Sequence, residues 1–151
     1  MQLPEGGGGL MSKQDHRKTV NIDVGLPNSK KLKGASAATK WLDVVAVCWS
    51  GQNLTDGQID PAVVCAWAGV PIKHGRDLIN RDRWHEKGHH CPSCAQPDTD
   101  GEVMVHDYLT FQTSSEKVSR IARERSLAGR KANHTRHKHP GEFDQCWECQ
   151  G

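Results

Sequence analysis

Little in these 151 residues favours a large globule. Aromatic residues make up 5% of the chain, with one tyrosine and two phenylalanines, and all hydrophobic types together reach 35%. Mean hydropathy is −0.71. A chain this lean is expected to close a compact core of about 80–100 residues and to leave polar tails. No apolar run approaches the ~20 residues that cross a bilayer, so no membrane span is expected. The opening "MQLPEGGGGLMSKQ" lacks a basic-then-apolar leader. Residues 1–18 therefore read as a flexible segment, and the expected location is the cytoplasm.

Net charge is also scant, at +2, but its distribution is uneven. Seven Lys/Arg face two Asp between Lys13 and Lys40, and eight Lys/Arg face two Glu between Gln112 and Pro140. The acids gather at Asp56–Asp60 and Asp98–Asp107. Two basic flanks around an acidic middle suit a polyanionic partner. Six cysteines without an export signal, four of them in two Cys-x2-Cys steps, point to metal binding in a reducing compartment rather than to disulfides.

What is present has a clear order. "TVNIDVGL" (19–26) alternates Val20, Ile22 and Val24 with polar residues, which predicts a short strand. "AATKWLDVVAVCWSGQNL" follows a basic loop and is the most apolar stretch. Trp41, Val44, Val45 and Cys48 fall at helical spacing, Leu42, Ala46 and Trp49 continue the stripe around a buried central helix, and Gly51 fits the end of that helix. Asp60-Pro61 is an N-cap followed by proline at the first helical position, which opens a helix over 61–68 closed by Gly69. A second helix over 71–81 completes a helix-turn-helix pattern. "RWHEK" and "GEVMVHDYL" predict a hairpin after it, in the position of a wing. Thr113-Ser-Ser-Glu116 predicts a capping box that opens a basic helix over about 114–132. The expected fold class is α+β. It comprises a winged helix-turn-helix domain over 19–112 with a Cys/His insertion at 85–100, a basic helix over 113–132, and a zinc-stabilised tail over 133–151.

Cys91-Pro-Ser-Cys94 and Cys146-Trp-Glu-Cys149 each set two thiolates on one turn, a grip suited to Zn2+. His85 and His89 stand beside the first pair, with His90 next to it. His134 and His137 stand before the second, with His139. Each cluster holds enough donors by itself, so two structural zinc sites are the expectation. The alternative is one zinc shared by all four thiolates. Zinc would order a tail that has no core periodicity of its own. Glu86 and Glu142 are not singled out as bases, and no catalytic residue is expected. Cys48 and Cys65 lie in apolar helical stretches and read as packing residues. His106-Asp107 closes a strand, where neighbours point to opposite faces, so a structural hydrogen bond is expected rather than a catalytic pair.

For DNA, Lys73, His74, Arg76 and Asn80 lie on the second helix of the helix-turn-helix, where base edges would be read, with Asp77 among them. Lys30, Lys31 and Lys33, together with Arg120 and Arg123, are candidates for phosphate contacts, which position without specifying sequence. Double-stranded DNA is the expected partner. The alternative is a protein-interaction module that docks on a host replication or transcription protein. A nuclease ranks below both, because no His-Asn-His pattern is present.

"AVCWSGQNLTDGQIDPAVV", "HDYLTFQTSSEKV" and "AGRKA" together resemble a family of small actinobacterial and actinobacteriophage proteins, described as helix-turn-helix DNA-binding or replication-initiation-like. The resemblance spans about residues 19–149. It implies a tryptophan-bearing helix, a "TDG" turn, a helix-turn-helix, a hairpin ending in His-Asp-Tyr, a basic helix, and a His-rich tail closing on Cys-x2-Cys. The function it implies is replication initiation or transcriptional control.

Overall fold

A computed structural model describes residues 19–137 and 141–146. Its elements are α1 (Ala37–Asn53), β1 (Gln58–Ile59), α2 (Pro61–Ala68), α3 (Lys73–Asn80), β2 (Trp84–Glu86), β3 (Val103–Val105), α4 (Tyr108–Phe111) and α5 (Ser115–Arg136), with short 3-10 turns at Leu26–Asn28 and Phe143–Gln145. The fold is α+β. Its three strands form one antiparallel sheet in the order β1-β3-β2. Gln58 pairs with Met104 and Trp84 with Val105. Among the described residues, no helix is long and apolar enough to cross a membrane.

Helix α1 opens where Ser36 accepts the Thr39 amide hydrogen at 3.1 Å. It buries Leu42, Val45, Ala46 and Val47 against Ile59, Val64, Leu78, Trp84, Val103 and Val105. Of the expected stripe, Leu42, Val45 and Ala46 are buried, whereas Trp41 is 55% exposed and Val44, Cys48 and Trp49 are half-buried. Asp43 lies on the same inward side. It is fully buried and accepts from Nε and Nη2 of Arg83, at 3.1 and 2.9 Å, just before β2. Burial pushes the Asp43 carboxyl up, and the Arg83 charge opposes that shift. A buried ion of this kind needs its partner, so the Asp43 side of the helix faces inward.

Gly51 does not end α1. It lies within the helix, where a Cβ would overlap the Val20 side chain. The helix ends instead at Leu54 in the left-handed region. The short helix α2 follows its local signals closely, with Asp60 accepting from the Ala62 N–H at 2.8 Å and Gly69 left-handed at its end.

Three expectations are corrected. Residues 19–26 form no strand: Val24 is 99% exposed, and the segment is tied down by side chains, with the Asn21 N–H donating to Gln112 Oε1 and Asn21 Nδ2 to the Phe111 carbonyl. The strand that completes the sheet is β1, two residues too short to show a period. The capping box does not close at Thr113. Ser114 is the N-cap, because Asp56 of the "TDG" turn takes the N–H and hydroxyl of Ser115 at 2.7 and 2.6 Å. That contact fixes where α5 leaves the domain. Helix α5 also runs four residues beyond its expected end, to Arg136.

Candidate metal centre

The register of the β2–β3 hairpin brings the donors together. His85 pairs with Met104, and His106 lies two residues further along, on the same face. The two histidines are thus diagonal cross-strand neighbours, within reach of each other. His85 Nε2 and His106 Nδ1 lie 2.8 Å apart. The connection from Lys87 to Glu102 then folds back. Gln96 clamps its base, accepting the Gly88 N–H at 2.7 Å and donating to the His89 carbonyl at 2.7 Å. The turn at Cys91–Cys94 is thereby laid over the two imidazoles.

His85, Cys91, Cys94 and His106 form one group whose donor atoms all lie within 4.8 Å of one another. Tetrahedral zinc, with bonds of about 2.3 Å to sulfur and about 2.0 Å to nitrogen, implies sulfur–sulfur edges of about 3.8 Å and nitrogen–sulfur edges of about 3.5 Å. The observed edges are 3.6 Å between the sulfurs and 3.5 Å from His106 Nδ1 to each of them. The histidine–histidine edge of 2.8 Å is the one that a metal would lengthen, toward about 3.3 Å. Burial, followed by the charges of His106, His89 and Lys31, pushes the His85 ring down to about 4. Burial also holds His106 below its ordinary value. Both rings are therefore neutral near pH 7, as donors must be. A hydrogen bond from Ser93 lowers the Cys91 thiol, whereas burial raises that of Cys94. The set could hold a metal ion with four protein donors and no open position, which is the arrangement of a structural site.

His89 stands outside the group. Its Nδ1 accepts the Cys91 N–H at 3.1 Å, its Nε2 faces the Ala95 carbonyl at 3.0 Å, and its ring stacks on His85 with centroids 4.6 Å apart. Both nitrogens are occupied in shaping the turn. His106 takes the place expected for His89, and sequence reasoning missed it. The separation of neighbours across a strand fails at this point because Asp107 is left-handed, with φ 55°. That kink turns the Asp107 carboxylate back to the His106 ring, with Oδ2 2.9 Å from Nε2. The hairpin register, with Trp84 opposite Val105, was the signal that would have found His106.

The second cluster is placed differently. His134 is buried in the last turn of α5, its Nε2 3.1 Å from the Gly141 carbonyl and its ring edge-on to Phe143. Lys131 lies over the Phe143 ring at 5.5 Å. His137 follows as the exposed C-cap residue, and Cys146 is buried. Cys149 lies outside the described residues, as does His139. The hairpin donors His85, Cys91, Cys94 and His106 form their group without Cys146.

Of the expected DNA contacts, Lys73, Arg76 and Asn80 are exposed on α3, while Gly75 and Leu78 of the same helix are buried. His74 is turned to α1, its Nδ1 3.0 Å from Thr39 Oγ1. Asp77 accepts from Thr39 and pairs with Arg81 at 2.9 Å. Lys30 and Lys33 are exposed, whereas Lys31 donates to the Asp82 carbonyl at 2.8 Å. Arg120 and Arg123 are exposed on α5, and Arg120 lies 3.8 Å from Glu124. Cys65 is buried in the core, and Cys48 is half-buried with its thiol raised by burial. No family model, curated protein or solved structure matches this chain.

Proposed function

We propose that this chain is a zinc-stabilised winged-helix protein that binds double-stranded DNA through α3. The order α1-β1-α2-α3-β2-β3, with strands in the order β1-β3-β2, supports a helix-turn-helix followed by a wing. One observation carries the reading. Lys73, Arg76 and Asn80 share one exposed side of α3, at spacings of three and four. Among the described residues, no hydrogen bond or ion pair engages their side chains. A helix buried along one side, with free basic and amide groups along the other, suits entry into the major groove. Lys30 and Lys33, with Arg120 and Arg123, would add phosphate contacts. The setting suggested by the family resemblance is replication initiation or transcriptional control in a bacterial cytoplasm.

The reading is tested by selecting DNA from a random library with zinc-loaded protein. A defined motif is expected, and R76A should lose about 1–3 kcal/mol of binding and relax preference at one position. Salt-sensitive binding with no enriched motif, or an R76A variant that selects as the wild type does, would sink it.

Zinc is the metal that best suits two thiolates and two imidazoles in a tetrahedron. We assign one ion to the wing group and a second to His134, His137, Cys146 and Cys149. Metal analysis of C91S and C146S distinguishes this from one shared ion: one of two equivalents should be lost in each variant.

A second reading has its own support. Trp41 and Trp67 are 55% and 54% exposed, and Val63 is 46% exposed. Exposed tryptophans are enriched where proteins dock, so α1 and α2 would face a host replication or transcription protein. Capture of such a protein that survives nuclease treatment and R76A, but is lost in W67A, would favour this reading over groove entry.

A further inference from the structure

We infer that Asp107 is the positioning residue of the metal centre, fixing His106 as an Nδ1 donor and tying the cysteine turn to the start of α4. The inference rests on the reading of His85, Cys91, Cys94 and His106 as a zinc site.

Asp107 reaches three parts of that site from outside it. Its Oδ2 lies 2.9 Å from His106 Nε2. Its Oδ1 accepts from the Ser93 hydroxyl at 2.6 Å. Its backbone N–H points at Cys94 Sγ, 3.3 Å away. Ser93 Oγ in turn lies 3.3 Å from Cys91 Sγ. One residue is thus in contact with the ring of one donor, the sulfur of a second, and the turn that carries both cysteines.

The consequence for His106 follows from the chemistry of imidazole. A neutral ring has one N–H and one lone pair. A carboxylate at Nε2 accepts a hydrogen bond, so the proton resides on Nε2 and the lone pair on Nδ1. Nδ1 is the atom that faces His85 Nε2 and both sulfurs. The carboxylate therefore selects the tautomer that can donate and holds the ring plane toward the cysteines. An outer partner of this kind raises the basicity of the metal-bound nitrogen.

The backbone is shaped for the task. With Asp107 left-handed, two neighbours, His106 and Asp107, turn to the same site. Asp107 is also the residue from which α4 begins, with Thr110 donating to its carbonyl at 3.0 Å. The metal's outer layer is thus continuous with the path to α5.

The test compares the full-length wild type with D107A, D107N and S93A, using C91S to subtract zinc held elsewhere in the chain. Zinc affinity at the wing site is measured by competition with a chelator, and the His106 ring nitrogens are observed by 15N NMR. In zinc-loaded wild type, we expect a protonated Nε2 and a metal-bound Nδ1. D107A should weaken zinc about 10–100-fold, and its Nε2 proton should exchange faster with solvent. D107N keeps an acceptor but not the charge, and should fall between the two. S93A should lose less than D107A.

Zinc held through Nε2 of His106, or equal affinity in D107A and wild type, would overturn the inference. Should D107A fail to fold, D107N and the ring assignment in the wild type decide the matter. If the wild type holds no more zinc than C91S, the metal-centre reading itself is wrong, an outcome distinct from a centre that binds zinc without help from Asp107.

Discussion

Two histidines four residues apart in sequence, His85 and His89, have opposite duties at the β2–β3 hairpin. The first offers Nε2 to the donor group. The second spends both nitrogens on the backbone of the cysteine turn. Zinc binding should therefore separate them. H106A and H85A remove a donor and should abolish tight binding at the hairpin, whereas H89A should retain the ion with weakened affinity. Chelator competition checks this, and an H89A variant as defective as H85A would put His89 inside the donor set. Acid should act on the same residues in the metal-free protein. The folded-state value of His85 lies near 4, below its ordinary 6.5. The unfolded chain thus binds more protons between those two values, and stability rises with pH where that is so. His85 should accordingly destabilise the metal-free fold progressively as pH falls from about 6.5 to about 4, and contribute no pH dependence above that window. Denaturant midpoints across pH for wild type and H85F would show it, the variant having the flatter profile. The cysteines of this site were legible from spacing alone, because Cys-x2-Cys is a local geometry. His106 was not, because its membership depends on strand register and on one left-handed residue at 107.

At the scale of elements, the best-read pieces are those whose signals are local. Asp60, Pro61 and Gly69 open and close α2 as their chemistry dictates. Pieces that depend on a partner were misread. The alternation over 19–26 describes a strand only where an edge is available, and that segment instead lies beside α4 and uses Asn21 to hold Gln112. The inward turn of Asp43 on α1 depends on Arg83, 40 residues away. The turn before β1 depends on a neighbour too. Gly57 has φ 95°, and a Cβ there would sit 2.7 Å from the Cβ of Tyr108. Its N–H donates to Ser50 Oγ at 2.7 Å. G57A should therefore combine a disfavoured backbone with a clash against α4, costing about 2–4 kcal/mol from strain plus overpacking. Chemical denaturation checks the figure. G129A is a useful contrast. Gly129 lies in α5 with nothing within 4 Å of an added Cβ, so alanine there should stabilise by up to about 1 kcal/mol.

At the scale of the molecule, the packed core and the His85, Cys91, Cys94 and His106 donor group occupy adjoining but separate ground. The core cluster draws on α1, α2, α3 and the three strands, with Leu32 and Tyr108 at its edges. Between Lys87 and Glu102, only Pro97 is fully buried. Hydrogen bonds order that connection, and the proposed metal would add to them in place of apolar burial. The two parts should therefore come apart on chelation. Removing metal at neutral pH should leave amides of α1 protected from hydrogen exchange, because their protection follows the core. Amides of the connection, such as those of Gly88 and Cys91, should lose protection, since they are held by Gln96 and His89 around the cysteine turn. Trp84 bridges the two parts: its side chain is buried in the core while its neighbour His85 belongs to the donor group. A small change at β2 with an intact α1 is the expected pattern, followed residue by residue on zinc-loaded and chelated protein. Collapse of α1 protection together with the connection would mean that the core cannot stand without the proposed metal, and the hairpin connection would then be part of the domain's foundation rather than an extension to it.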